Sequence, residues 1–129
     1  MTEELSFNIL TYLIANISVL NQDTEKIWKD ALEDDLLALQ KKKDSTDPAT
    51  TAVKDNHFYL EIAQMRTETL LREKYSQLIE KQNQEIDEVF AEQPRPKAKE
   101  IINRVHVIQG KYISVRVGLY LMIEMIYRF

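Results

Sequence analysis

The 129-residue sequence predicts an all-α fold, an antiparallel bundle of three to four helices with one long central helix. Three observations carry this expectation. The chain holds only 2 Gly and 3 Pro, so it has little material for tight turns and must be built from long elements with few corners. Glu, Lys, Gln, Arg, Leu and Ala, all strong helix formers, dominate its middle. Apolar residues recur at alternating spacings of three and four, the period of one helix face.

The first element is expected from about Leu5 to Leu20. Leu10, Leu13, Ile17 and Leu20 share a face, Thr2 can cap the start, and Glu3 and Glu4 suit the positive end of the helix dipole. Asn21-Gln22-Asp23-Thr24 reads as a break and a fresh cap. A second helix, about Thr24 to Lys42, turns Ile27, Trp28, Ala31, Leu32, Leu36 and Leu39 inward, and Lys41, Lys42 and Lys43 suit its negative end. Trp28, the only tryptophan, is expected to be shielded in the core.

Asp44-Ser45-Thr46-Asp47-Pro48 reads as a linker. Asp47 before Pro48 is a cap followed by a first-turn proline, whose missing N–H costs the helix no bond. Nothing then breaks the pattern as far as Ala91, which predicts one helix of roughly 40 residues and about 60 Å. Its expected buried positions include Phe58, Ile62, Met65, Leu71, Tyr75, Leu78, Ile86 and Val89, with Glu68–Arg72 as an outer ion pair.

Gln93-Pro94-Arg95-Pro96 is the second corner, and Pro96 can open the helix that follows. From Lys97 to Phe129, two patterns compete. Ile101, Val105, Ile108, Tyr112, Val115, Leu119, Met122, Ile126 and Phe129 step by fours and threes, as a helix requires. Ile113, Val115, Val117, Leu119, Leu121, Ile123 and Met125 also alternate, as a strand would, and the β-branched residues with Gly110 and Gly118 add weight to that side. The unbroken helical register over the whole segment favours helix. The alternative is a hairpin turning at Gln109-Gly110-Lys111, making residues 105–129 β.

Composition narrows function further. With 44% apolar and 29% charged residues the chain reads as one globular domain, residues 1–129. The absence of cysteine removes disulfides, thiolate chemistry and cysteine zinc sites, and favours the cytoplasm. Met1-Thr2-Glu3-Glu4 is acidic where a signal peptide would be basic. Leu5 to Leu20 is interrupted by Ser6, Asn8, Thr11, Asn16 and Ser18, too short and too polar to span a bilayer. The formal charge of -4 speaks against a nucleic-acid surface. The basic clusters Lys41–Lys43 and Arg95, Lys97, Lys99 are expected at opposite ends of the long helix, a poor phosphate track.

Catalytic signals are missing. A metal site in a helical bundle would use Glu-x-x-His pairs, but Lys54 stands three before His57 and Asn103 three before His106. His57, with Asp55 and Glu61 nearby, reads as a solvated or hydrogen-bonded surface residue, and His106, between Val105 and Val107, as a boundary residue. Glu33-Asp34-Asp35 and the group Glu85, Asp87, Glu88 and Glu92 read as solvated faces. No nucleophile–base pair, glycine-rich phosphate loop or dinucleotide fingerprint occurs. No enzymatic activity, cofactor or metal is expected.

The last eighteen residues are the most informative. Tyr112, Arg116, Tyr120, Glu124 and Arg128 form one narrow polar-tipped row, with Glu124 placed to pair with Arg128. Nearly everything else between Ile113 and Phe129 is apolar. A helix apolar almost all round needs cover almost all round, either from the rest of the core or from another chain. Leu121, Met125 and Phe129, nearest the chain end, have the fewest candidate neighbours and are the expected partner-binding residues. The sequence therefore favours a helical protein–protein interaction module, an adaptor, regulator or assembly subunit, pairing with itself or another protein. The alternative is a small immunity- or antitoxin-type protein that neutralises a partner or contacts a membrane.

Overall fold

The computed structural model of the chain describes residues 2–17, 22–45 and 56–129. Among these residues there are four helices and no strand. They are α1 (Thr2–Asn16), α2 (Gln22–Ser45), α3 (Asn56–Ala91) and α4 (Ala98–Arg128). The expected all-α bundle is the observed fold. The β alternative for residues 105–129 is excluded, since Gly110 and Gly118 both lie inside α4. Packing decides it. The helical register buries Ile101, Tyr112, Val115, Leu119, Met122 and Ile126 on one face, where a strand would have turned alternate residues to water.

Several boundaries differ from the sequence reading. Thr2 is the first residue of α1 and not its cap, because Glu3 and Glu4 are already in the first turn. Leu20 falls outside the described residues. The second helix starts at Gln22, so Thr24 lies buried within its first turn. It also runs past Lys42 to include Asp44 and Ser45, where a linker was expected. Asp47 and Pro48 lie outside the described residues. Pro96 stands two residues before Ala98, the first residue of the helix it was expected to open, and Lys97, with extended backbone, is the N-cap. The Pro94–Pro96 corner itself is where it was expected, and the Gln93–Pro94 peptide is cis.

The long helices α3 and α4 form an antiparallel hairpin. Glu92 accepts a 2.6 Å hydrogen bond from Arg104 near the corner, and Glu85 one of 3.4 Å from Lys111 further along. At the open end Gln64 Nε2 donates to the Ile126 carbonyl at 3.0 Å. α1 packs on α2 and α3, while α4 packs on all three other helices. Ile9, Leu10, Leu13 and Ile17 of α1 are fully buried, each such side chain contributing about 1.5–3 kcal/mol. Trp28 fills the centre of the bundle, with its indole N–H donating to the Val115 carbonyl at 3.2 Å.

The buried face of α3 departs from the expected one at its N-terminal end, while Ile62, Tyr75 and Ile86 are partly buried. Phe58 and Met65 are exposed, and the positions turned inward at that end are Ala63, Gln64 and Thr67. Small and polar residues here meet α1 and the end of α4, with Thr67 donating its hydroxyl to the Ala63 carbonyl. Further along, Leu71, Leu78 and Val89 are buried as expected. Between residues 82 and 110 only Val89 and Ile101 are buried. That part of the hairpin is a two-helix arm of about 15–20 Å, and the four-helix body begins near Lys81, Lys111 and Tyr112, which share a groove with Ile27 and Asp30 of α2.

Candidate functional site

The body of the bundle uses one side of α4 and leaves the opposite side to solvent. Ile113 is 66% exposed, Val117 54%, Tyr120 54% and Tyr127 51%. Spacings of four, three and seven put these residues, with Glu124 between the last two, within about a third of the helix circumference. They sit on the side away from Val115, Leu119, Met122 and Ile126, so folding leaves them uncovered. These four large apolar side chains on one exposed helix face make it the candidate contact surface among the described residues.

The polar row named from the sequence crosses this face obliquely, sharing Tyr120 and Glu124 with it. The guanidinium carbon of Arg116 lies 5.9 Å from the Tyr120 ring centroid, a cation–π arrangement on an open surface. Among the described residues Arg116 has no carboxylate partner. Glu124 accepts a hydrogen bond from Arg128 one turn on, as its placement predicted. Tyr112, by contrast, is buried. Burial first, and then the neighbouring Glu85 carboxylate, push its hydroxyl up to about 12. Burial and Glu68 also raise the Tyr127 hydroxyl above its ordinary value.

The three residues expected to bind a partner fall into different surroundings. Leu121 is 36% exposed at the margin of the apolar face. Met125 is half-buried and packs against the core. Phe129 is 43% exposed and sets its ring edge-on to Tyr12 of α1, with centroids 5.5 Å apart. Ile113, Val117, Leu121, Met125 and Phe129 form one row at spacings of four, which winds from the outer face round towards α1. Sequence reasoning selected the last three by distance from presumed neighbours, and so missed Ile113, Val117, Tyr120 and Tyr127. The available signal was a second set of three-and-four spacings, offset from the core set on the same helix.

Other candidate residues take structural or solvated places. His57 pairs with Glu61 at 3.1 Å, both well exposed. His106 is exposed and not at the boundary, because it projects from the two-helix arm. Asp35 is no solvated carboxylate but bridges α2 to α3 through Lys74 at 2.9 Å. Glu85 and Glu92 likewise cross to α4 and are not merely solvated. Among the described residues no group of three or more His, Asp or Glu is placed to hold a metal ion. No helix there is long and apolar enough to cross a membrane. Comparison with family models, curated proteins and solved structures finds no match to the chain.

Proposed function

We propose that the chain is a non-enzymatic helical interaction module, an adaptor, regulator or assembly subunit working in the cytoplasm, whose docking surface is the outer face of α4. The single observation behind this reading is the exposure of Ile113, Val117, Tyr120 and Tyr127 on one helix face. Covering such a face releases its hydration water, and each large apolar side chain buried there contributes on the order of 1–2 kcal/mol. Leu121 and Phe129 extend the surface towards α1, and Met125 supports it from below.

The test is the size of the native assembly. The tagged protein, expressed in its own cells, is expected to migrate well above its 15.2 kDa monomer mass. The double variant Ile113→Glu/Val117→Glu is expected to migrate as the monomer with unchanged helix content, because both positions face water. A wild-type chain that runs as a monomer in native extract would remove this reading. So would a double variant that stays fully assembled.

A further inference from the structure

The first three helices line an open-mouthed cavity of about 240 Å³, which shares no residue with the outer face of α4. Leu10 of α1, Leu39 of α2 and Leu70 of α3 give it apolar walls. Ser6 stands one turn before Leu10 on the same wall and is only 7% exposed. Helical serines and threonines often turn the hydroxyl back on the carbonyl four residues earlier, as Thr11, Thr67 and Thr69 do in this chain. Ser6 does not, and among the described residues its hydroxyl has no hydrogen-bond partner. A buried hydroxyl without a partner is destabilising. Water in the cavity would satisfy it but would leave the leucines wet.

The charges of the cavity narrow the occupant further. Asp35 is neutralised by Lys74 at 2.9 Å, and Lys42 already has a partner. Glu3, half-buried, and Arg66, exposed, have no ion-pair partner among the described residues. We propose that this cavity binds a free aliphatic α-amino acid about the size of leucine. One carboxylate and one guanidinium together complement a zwitterion, whereas a simple anion or cation meets one charge of its own sign. The ammonium pairs with Glu3, and the carboxylate with Arg66 and the Ser6 hydroxyl. A guanidinium suits that role because it offers two parallel N–H donors to a carboxylate. The aliphatic side chain covers Leu10, Leu39 and Leu70. Size agrees, since at ~30 Å³ per water the cavity holds roughly eight waters, close to the heavy-atom count of leucine.

Isothermal titration of the purified full chain tests this with L-leucine, glycine, 4-methylpentanoate and 3-methylbutylamine. The last three lack, in turn, the aliphatic side chain, the ammonium and the carboxylate. Leucine should bind and raise the thermal midpoint, because a ligand that binds only the folded state stabilises it. Each truncated probe should bind at least about 10-fold more weakly. Glu3→Gln and Arg66→Gln should each weaken leucine binding by about 10-fold at unchanged helix content. Ser6→Ala should weaken it several-fold and raise the midpoint of the ligand-free chain, since it removes an unsatisfied hydroxyl. The lack of saturable leucine binding up to about 10 mM overturns the proposal. So does a truncated probe that binds as well as leucine, or any of the three variants that binds leucine unchanged. The probe series uses the wild-type chain, so it decides even where a variant folds poorly.

Discussion

Trp28 and Tyr112 tie the bundle together at its middle, and each carries a polar atom into the core. Trp28 solves this by donating to the Val115 carbonyl, and Tyr112 by pairing with Glu85 of α3. The tyrosine gives a pH-dependent signature. Its folded-state pKa lies at about 12 against an ordinary 10.0, so the folded chain holds this proton more tightly than the unfolded one. The stability from the neutral hydroxyl is therefore complete below about pH 10 and falls away as pH rises towards 12. Between those limits the wild-type chain should lose stability more steeply than Tyr112→Phe, which has no proton to release. Denaturant midpoints across that pH range check this, and equal slopes would contradict it. The burial of Trp28 was legible in the sequence, because it sits among aliphatic residues at helical spacing, whereas Tyr112 fell in both the helical register and the polar-tipped row. Phe58 and Met65 were misplaced for the converse reason. They are two of the large apolar residues at their end of α3, yet the neighbouring helices approach over Ala63, Gln64 and Thr67, with Leu60 and Ile62 partly buried beside them. Burial by close approach of small side chains leaves little trace in a hydrophobicity pattern.

Among the elements, α4 tested the sequence reading most severely, since its β-branched residues and two glycines left a strand open. The three-and-four register decided correctly because it accounts for every buried position from Ile101 to Ile126 except Gly118. Gly110 remains unexplained by packing, as a Cβ built there meets nothing within 4 Å. It imposes only the entropic penalty of glycine in a helix. Gly110→Ala is therefore expected to stabilise the fold by about 0.5–1 kcal/mol, measured as a raised denaturant midpoint at constant slope. A destabilised variant would show that this point of α4 needs backbone freedom. The helix ends were less legible than the helix bodies. Thr24 has the side chain of a cap and lies inside α2, and Pro96 has the ring of a first-turn residue and lies outside α4. Caps compete with whatever tertiary contact the same residue can make, and the sequence does not show that contact.

On the scale of the whole molecule, hydrophobic spacing predicted the helices but could not specify which pairs would meet. That arrangement depends on contacts far apart in sequence, such as Trp28 with Val115 and Gln64 with Ile126. It leaves the two-helix arm with Val89 and Ile101 as its buried residues, beside a body whose core draws on all four helices. Backbone amides of residues 82–91 and 98–108 should therefore exchange with solvent faster than those of residues 112–126. Uniform protection along α3 and α4 would show that the arm is held by more than its own seam. The two faces of α4 also bear on how the sequence can drift. Along residues 112–127 the inward positions carry the fold, and under the proposed function the outward positions carry the partner contact. A saturation library scored once for abundance and once for association should give two tolerance profiles of the same 3.6-residue rhythm, shifted by part of a turn. Each profile is blind to the other's residues, so one helix can evolve a new binding preference without first risking the fold.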